Sequence, residues 1–238
     1  MKVDILAFAA HPDDIEISAS GLLMKHIEMG KTVAIVDLTQ GEMGSRGTVI
    51  TRYTEAEKAS KIMGVSQRVN LKMADGFFEI SKANKMLIIE QIRYFKPTVV
   101  LANSITDRHP DHGRASQLVS EACFLSGLLR VETELNGVSQ EKWRPKSVFH
   151  YIQDRYVKPD FVVDITPFID RKIEALQAYK TQFFNPNNSE PNTPISGENF
   201  FEFLKGRWRE FGREIGVDYA EGYTMERTIG VNDVTELL

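Results

Sequence analysis

Short apolar runs alternate with longer amphipathic stretches through the first half of the chain. The short runs are rich in β-branched residues, which indicates buried strands. The longer stretches repeat apolar positions at helical spacing and end at glycine or before proline, which indicates helices. The predicted strands are residues 3–8, 32–38, 68–71 and 98–102, and the predicted helices are residues 15–29, 55–63 and 82–95.

This alternation predicts an α/β fold. Strands that alternate with helices form a parallel sheet with right-handed crossovers and helices on both faces. We therefore expect a Rossmann-like, mainly parallel sheet. The length of 238 residues suits one domain. Accordingly, we expect a single domain over residues 1–238, with the parallel core in residues 1–130 and additional strands, helices and a loop in residues 131–238.

The second half of the chain gives weaker signals. Residues 147–152 and 161–165 still have the composition of strands. Thr166 and Pro167 make an N-cap and first-turn pair, which predicts a helix that runs to about residue 179.

A long polar loop and an aromatic stripe follow. Residues 185–197 are rich in asparagine and proline, which predicts a loop that contacts substrate or a neighbouring subunit. The next apolar residues recur at helical spacing, which predicts a core or subunit-interface stripe. They are Phe200, Phe201, Leu204, Trp208 and Phe211.

Charge and composition narrow the choice of partners. The 33 acidic residues outnumber the 29 Lys and Arg, and the net charge of -4 gives no general attraction to nucleic acid or anionic membranes. No apolar stretch approaches the roughly 20 residues of a membrane span, and the first one has no cleavage site. We expect a cytoplasmic protein with neither a nucleic-acid nor a membrane partner. The single cysteine, Cys123, is expected to be buried and structural.

Two short loops concentrate the side chains that bind metals. Residues 10–14 read AHPDD after the first strand, and residues 107–112 read DRHPDH after the fourth. Three of the five histidines lie in these loops. Both loops should open on the carboxyl edge of the sheet, where open α/β sheets bind ligands. The clustering favours a metal site over the alternative, in which the aspartate only caps a helix.

The ligand types indicate the metal and its chemistry. Imidazole with carboxylate suits Zn²⁺, Fe²⁺ or similar ions, whereas Mg²⁺ and Ca²⁺ prefer oxygen alone. We expect one zinc ion per chain, with other divalent transition metals as alternatives. A catalytic zinc takes three protein ligands and water, and a nearby carboxylate can take the proton of that water. One of Asp13 and Asp14 would bind metal and the other would be the base, and the residues alone leave that choice open.

In its motifs the chain resembles the PIG-L-type N-acetylglucosaminyl deacetylases, and within them the bacillithiol-biosynthesis branch. The resemblance implies hydrolysis of N-acetylglucosaminyl malate to glucosaminyl malate and acetate, so the expected partner is a small-molecule N-acetylglucosamine conjugate. It also implies a homo-oligomer, which members of this fold often form. The motifs are the two loops above and residues 41–48, 75–78, 179–183 and 229–232.

The resemblance decides between the two aspartates. His11, Asp14 and His112 match the zinc ligands of the family. Asp13 matches the general base.

Four further residues acquire roles from the resemblance. His109 matches the histidine that stabilises the oxyanion or protonates the leaving amine, and Asp111 would orient its ring. Arg52 and Arg108 match substrate-binding positions, where a guanidinium suits a malate carboxylate.

One stretch departs from the family pattern. Residues 17–21 read ISASG where the family is usually glycine-rich, and bulkier residues there would narrow the sugar pocket. The first alternative is therefore a deacetylase of another N-acetyl sugar on the same fold. The second is a non-enzymatic sugar-binding protein that keeps the loops for structure.

Overall fold

The computed structural model describes residues 1–183 and 189–237, with only the backbone of Glu236. The strands are β1 (Ile5–Ala9), β2 (Val33–Thr39), β3 (Gln67–Met73), β4 (Val99–Ala102), β5 (Glu134–Leu135), β6 (Val138–Ser139), β7 (Ser147–Tyr151), β8 (Phe161–Asp164) and β9 (Ala220–Met225). The α-helices are α1 (Asp14–Ser18), α2 (Ser20–Glu28), α3 (Val49–Met63), α4 (Lys82–Phe95), α5 (Pro110–Ser126), α6 (Ile169–Gln177) and α7 (Phe200–Glu214). Two short 3-10 helices span Thr166–Phe168 and Val234–Glu236.

The central sheet has seven strands in the order β3-β2-β1-β4-β7-β9-β8. From β3 to β7 every neighbouring pair is parallel. Side chains of β1 alternate between two apolar clusters: Leu6 and Phe8 lie in one, and Ile5 and Ala7 in the other. Since successive side chains of a strand point to opposite faces, the sheet is covered on both sides. The α/β fold with a mainly parallel sheet is confirmed.

Strand β9 lies inside the sheet and was not predicted. It runs antiparallel between β7 and β8. Its first five residues are all buried, and they include Glu221, which is 1% exposed. Strand prediction depends on alternating apolar and polar residues or on an unbroken apolar run. The buried glutamate leaves neither pattern in this short segment, so β9 was not predicted.

The predicted helix over residues 15–29 is two helices, with a break at Ala19 (φ -137°, ψ 0°). Lys172 Nζ donates hydrogen bonds to two carbonyl groups of α1. The carboxylate of Glu221 accepts from two backbone N–H groups in the first turn of α2. Lys172 and Glu221 are 2.8 Å apart and fully buried. The buried ion pair thus satisfies backbone groups that the break leaves without helical partners.

Other element boundaries also differ from the predictions. Helix α3 begins at Val49 rather than residue 55, because Thr48 and Thr51 form a capping box. The expected cap at Thr166 is wrong: this residue starts a 3-10 turn, and α6 follows at Ile169 and ends at Gln177.

The aromatic stripe packs into the core. Leu204, Trp208 and Phe211 of α7 are each 2–3% exposed. Cys123 is buried as predicted, and burial raises the pKa of its thiol well above the usual range. Of the predicted loop over 185–197, residues 185–188 lie outside the described part. In the described part of the chain, none of the helices has the length and apolarity that a membrane crossing requires.

Candidate metal centre

A cavity of about 310 Å³ opens at the carboxyl ends of the parallel strands. Loops after β1, β2, β3, β4 and β7 all contribute to its lining. The sheet order turns around β1, with β2 on one side and β4 on the other. The cavity therefore lies at the topological switch point, where α/β sheets bind ligands.

The loop after β1 carries a strained residue. Asp13 has φ 114° and ψ -22°, in the left-handed region that residues with a side chain rarely adopt. It is the N-cap of α1, and its side chain makes no capping hydrogen bond. Asp14 opens the first turn of α1, and both aspartates are buried. Such strain is concentrated at functional sites.

The loop after β4 runs without strain into α5. His109 is the N-cap, and its ring accepts a hydrogen bond from the backbone N–H of Asp111. Pro110 occupies the first turn, where its missing N–H costs nothing. His112 follows in the first turn and is 5% exposed.

The two loops bring the three expected metal ligands together. His112 Nε2 lies 3.2 Å from Asp14 Oδ1, and His11 Nδ1 lies 3.7 Å from Asp14 Oδ2. Ring nitrogens of His11, His109 and His112 lie within 4.8 Å of one another. The two histidines expected to bind zinc thus lie against the two oxygens of the buried Asp14 carboxylate, with the third histidine beside them.

The second ring nitrogen of each expected histidine ligand faces carboxylates. His112 Nδ1 is 2.6 Å from Asp107 Oδ2. His11 Nε2 is 3.0 Å from Asp75 Oδ1 and 3.3 Å from Asp111 Oδ2. Histidines that bind metal commonly donate their other N–H to a carboxylate, which fixes the tautomer and leaves the first nitrogen free. The donor set fits a divalent transition metal on this ground.

The same negative charge acts on the histidines in the absence of metal. Burial lowers the pKa of His112, but the charge of Asp14 and the hydrogen bond to Asp107 outweigh this effect and raise the pKa to about 9. A site that attracts a proton so strongly also attracts a cation, which competes for the same lone pair.

Two amides that the sequence did not reveal hold Asp14. Asn103 Nδ2 donates to Asp14 Oδ2 at 2.9 Å, and Gln153 Nε2 donates to Asp14 Oδ1 at 2.5 Å. Asn103 directly follows β4, so its position at the sheet edge was the one available signal. The two donors orient the carboxylate without adding charge.

Asp13 lies beside Arg52 at the floor of the cavity. Burial raises the pKa of Asp13 to about 7, although the charge of Arg52 opposes the shift. Arg52 Nη1 is 3.8 Å from Asp13 Oδ2, and Arg52 Nη2 donates to Gln182 Oε1. A β-carbon on Gly41 would lie 2.7 Å from Arg52 Nη1, so the loop backbone packs directly on this guanidinium. Arg52 is therefore held within the protein, in contact with the expected base.

The contacts of Asp111 differ from the expectation. Its carboxylate reaches the ring of His11 and accepts from Gly76 N and Arg114 Nη1, and it makes no described hydrogen bond to His109. The ring of His109 is oriented by the backbone N–H of Asp111 instead.

One part of the cavity lining is apolar. It consists of residues from the described end of the long loop and from α7, namely Pro194, Ile195, Phe200, Phe203 and Leu204. From the departing stretch 17–21, only Ile17 is among the lining residues. Of the residues that depart from the family pattern, Ile17 therefore bounds this cavity, and those at positions 18–21 are not part of its lining.

Comparison with known proteins places the chain in a family. The profile of the PIG-L family, described as GlcNAc-PI de-N-acetylase, matches residues 6–123. An uncharacterised deacetylase of Escherichia coli is 31% identical over 159 residues, which cover 64% of this chain and 83% of the relative. A diacetylchitobiose deacetylase of Thermococcus kodakarensis is 26% identical over 75% of this chain and 70% of its own. A conserved protein of Thermus thermophilus has the same fold, with a TM-score of 0.85 and 34% identity over 97% of this chain and 98% of its own. The chain belongs to the PIG-L deacetylase family.

Other relatives carry names for different substrates. A probable N-acetyl-alpha-D-glucosaminyl L-malate deacetylase 2 of Bacillus subtilis is 25% identical over 76% of this chain and 84% of its own. A 4-oxalmesaconate hydratase of Pseudomonas putida is 27% identical over 74% of this chain and 73% of its own.

Proposed function

We propose that this protein is a zinc-dependent hydrolase, acting as one domain, that removes the acetyl group from an N-acetylglucosamine conjugate. Our first candidate substrate is N-acetylglucosaminyl malate. The observation that carries the proposal is that His11 Nδ1 and His112 Nε2 face the two oxygens of the buried Asp14 carboxylate, while the second nitrogen of each ring faces another carboxylate. Membership of a deacetylase family and the malate deacetylase among the relatives support it.

The chemistry requires a Lewis acid and a base. When bound by His11, Asp14 and His112, zinc supplies polarisation of an amide carbonyl and makes water easier to deprotonate. In this proposal Asp13 accepts the proton of the attacking water. Its pKa, raised to about 7 by burial against the opposing effect of Arg52, suits a base that works near neutral pH. Water adds to the acetyl carbonyl, the C–N bond breaks, and acetate and the free amine leave.

His109 is the proposed donor to the reacting group. Since Nδ1 of His109 accepts a backbone N–H, the neutral ring carries its proton on Nε2. From there it can donate a hydrogen bond to the developing oxyanion, while the leaving nitrogen takes the proton that Asp13 accepted from water. Burial and the nearby charges of His11 and His112 lower the pKa of His109, which keeps this ring in its neutral form.

The test is to follow release of free amine from N-acetylglucosaminyl malate by the zinc-loaded protein, with diacetylchitobiose in parallel. We expect turnover that chelation removes and zinc restores. A sugar-binding protein would bind both compounds after chelation and release no amine, and a hydratase would release none from either. Turnover of diacetylchitobiose alone would reject the malate conjugate and keep the deacetylase. The expected homo-oligomer stays a prediction, and light scattering of the purified protein would test it.

A further inference from the structure

The two arginines that line the cavity are in different states. Arg52 is 7% exposed and is held by Asp13, Gln182 and the loop backbone. The side chain of Arg108 is 43% exposed. Arg108 is therefore the arginine of the lining that a substrate can reach without displacing buried groups.

Arg108 is held at one nitrogen. Its Nε donates to Asp154 Oδ2 at 2.5 Å. The two Nη groups have no partner among the described residues, and the side chains of both Arg108 and Asp154 line the cavity. A guanidinium binds a carboxylate through two parallel N–H groups. With Nε occupied, the pair that remains is Nη1 and Nη2.

Asp154 is itself fixed to the rest of the site. Its backbone carbonyl accepts from Arg207 Nη2 of α7 at 2.7 Å. The next residue, Arg155, donates its backbone N–H to Asp107 Oδ1 at 2.7 Å. Asp107 also contacts the ring of His112. The backbone that carries Asp154 is thus tied to Asp107, which contacts the ring of an expected metal ligand.

We propose that Asp154 is a positioning residue that orients Arg108 so that its two Nη groups receive a carboxylate on the aglycone. Asp154 is then a determinant of selectivity for anionic over neutral N-acetylglucosamine conjugates. This inference rests on the proposed function, because it concerns the substrate of the same site. Held against Asp154, the guanidinium loses less rotamer freedom when substrate binds than a free arginine would.

The test compares one anionic and one neutral conjugate, N-acetylglucosaminyl malate and methyl N-acetylglucosaminide. The measured quantity is the ratio of their KM values in the wild type and in Asp154→Ala, Asp154→Asn and Arg108→Met. We expect Asp154→Ala to raise KM of the malate conjugate relative to the neutral one about tenfold, the size of one charge-assisted hydrogen bond. Asp154→Asn keeps an acceptor oxygen for Nε and should recover most of the selectivity. Adding Asp154→Ala to Arg108→Met should change the ratio no further.

Two results would overturn the inference. If Asp154→Ala improved KM of the malate conjugate, Asp154 would be a competitor for Arg108 rather than its support. If Asp154→Ala changed both KM values equally, so that their ratio stayed at the wild-type value, the role of Asp154 would be structural. Calorimetric binding of the two amine products gives the same ratio without turnover. Absence of turnover with both conjugates would therefore reject the proposed function, while the product ratio still decides the role of Asp154.

Discussion

The two loops of the candidate metal centre, after β1 and after β4, contain the same His-Pro-Asp triplet in two different conformations. In the first, Asp13 has a positive φ of 114° and lies beside Arg52. In the second, Asp111 has ordinary helical geometry in the first turn of α5, and its carboxylate extends to His11 in the other loop. The strained loop places a carboxylate in the cavity, whereas the regular loop directs the same residue type to the ring of His11, an expected metal ligand. Identical letters therefore give different chemistry, because the backbone decides where each carboxylate lies.

The largest expected effect comes from the two histidines of the second loop. His112→Ala removes an expected ligand, so we expect loss of bound zinc and of amine release. His109→Ala should keep zinc and lower kcat about 10²–10³-fold, the typical loss for one oxyanion donor. Metal analysis of the purified variants with a parallel amine assay distinguishes them. If His112→Ala kept zinc and His109→Ala lost it, His109 would be the metal ligand and His112 the donor to the oxyanion. The structure allows that outcome, because ring nitrogens of His11, His109 and His112 lie within 4.8 Å of one another.

The aspartates of the two triplets, Asp13 and Asp111, should affect different steps when they are replaced. Asp13→Asn should lower kcat about 10²–10⁴-fold, the range for loss of a general base, with zinc still bound. Asp111→Asn is the matched control, and its effect should fall mainly on zinc affinity, because its carboxylate contacts His11. The rate of amine release gives kcat, and competition with a chromogenic chelator gives the zinc affinity. Normal turnover by Asp13→Asn would remove the proposed base from the mechanism.

The sequence predicted the parallel half of the fold and the site loops for physical reasons. Buried parallel strands leave apolar runs, and metal ligands are rare residue types grouped on two loops. The supporting contacts leave no such signal. Gln153 contacts Asp14 across 139 positions of sequence, and an amide side chain has no characteristic spacing. The backbone strain at Asp13 could not be predicted from the sequence either, because the unstrained Asp111 occupies the same position in an identical His-Pro-Asp motif.

The two histidines that we expect to bind zinc differ in the number of carboxylates that contact their second ring nitrogen. His112 Nδ1 has Asp107, whereas His11 Nε2 has both Asp75 and Asp111. Asp107→Asn should weaken zinc binding about 10–100-fold, the usual cost of removing such a partner. Asp75→Asn should cost less, because Asp111 still accepts from His11. Competition with a chelator measures the zinc affinity of both variants. An equal loss of affinity would show that Asp111 does not compensate for the loss of Asp75.

The smallest expected effect is on stability, and it reports the backbone conformation at Asp13 and Asp111. At Asp13, alanine and glycine both remove the carboxylate, but only glycine adopts a positive φ without strain. Asp13→Gly should therefore be about 1–2 kcal/mol more stable to urea than Asp13→Ala. At Asp111 the order should reverse by about 0.5–1 kcal/mol, because glycine is the poorer residue in a helix. The same order at both positions would mean that the two triplets do not differ in backbone strain, and the contrast between the loops would then rest on their side-chain contacts alone.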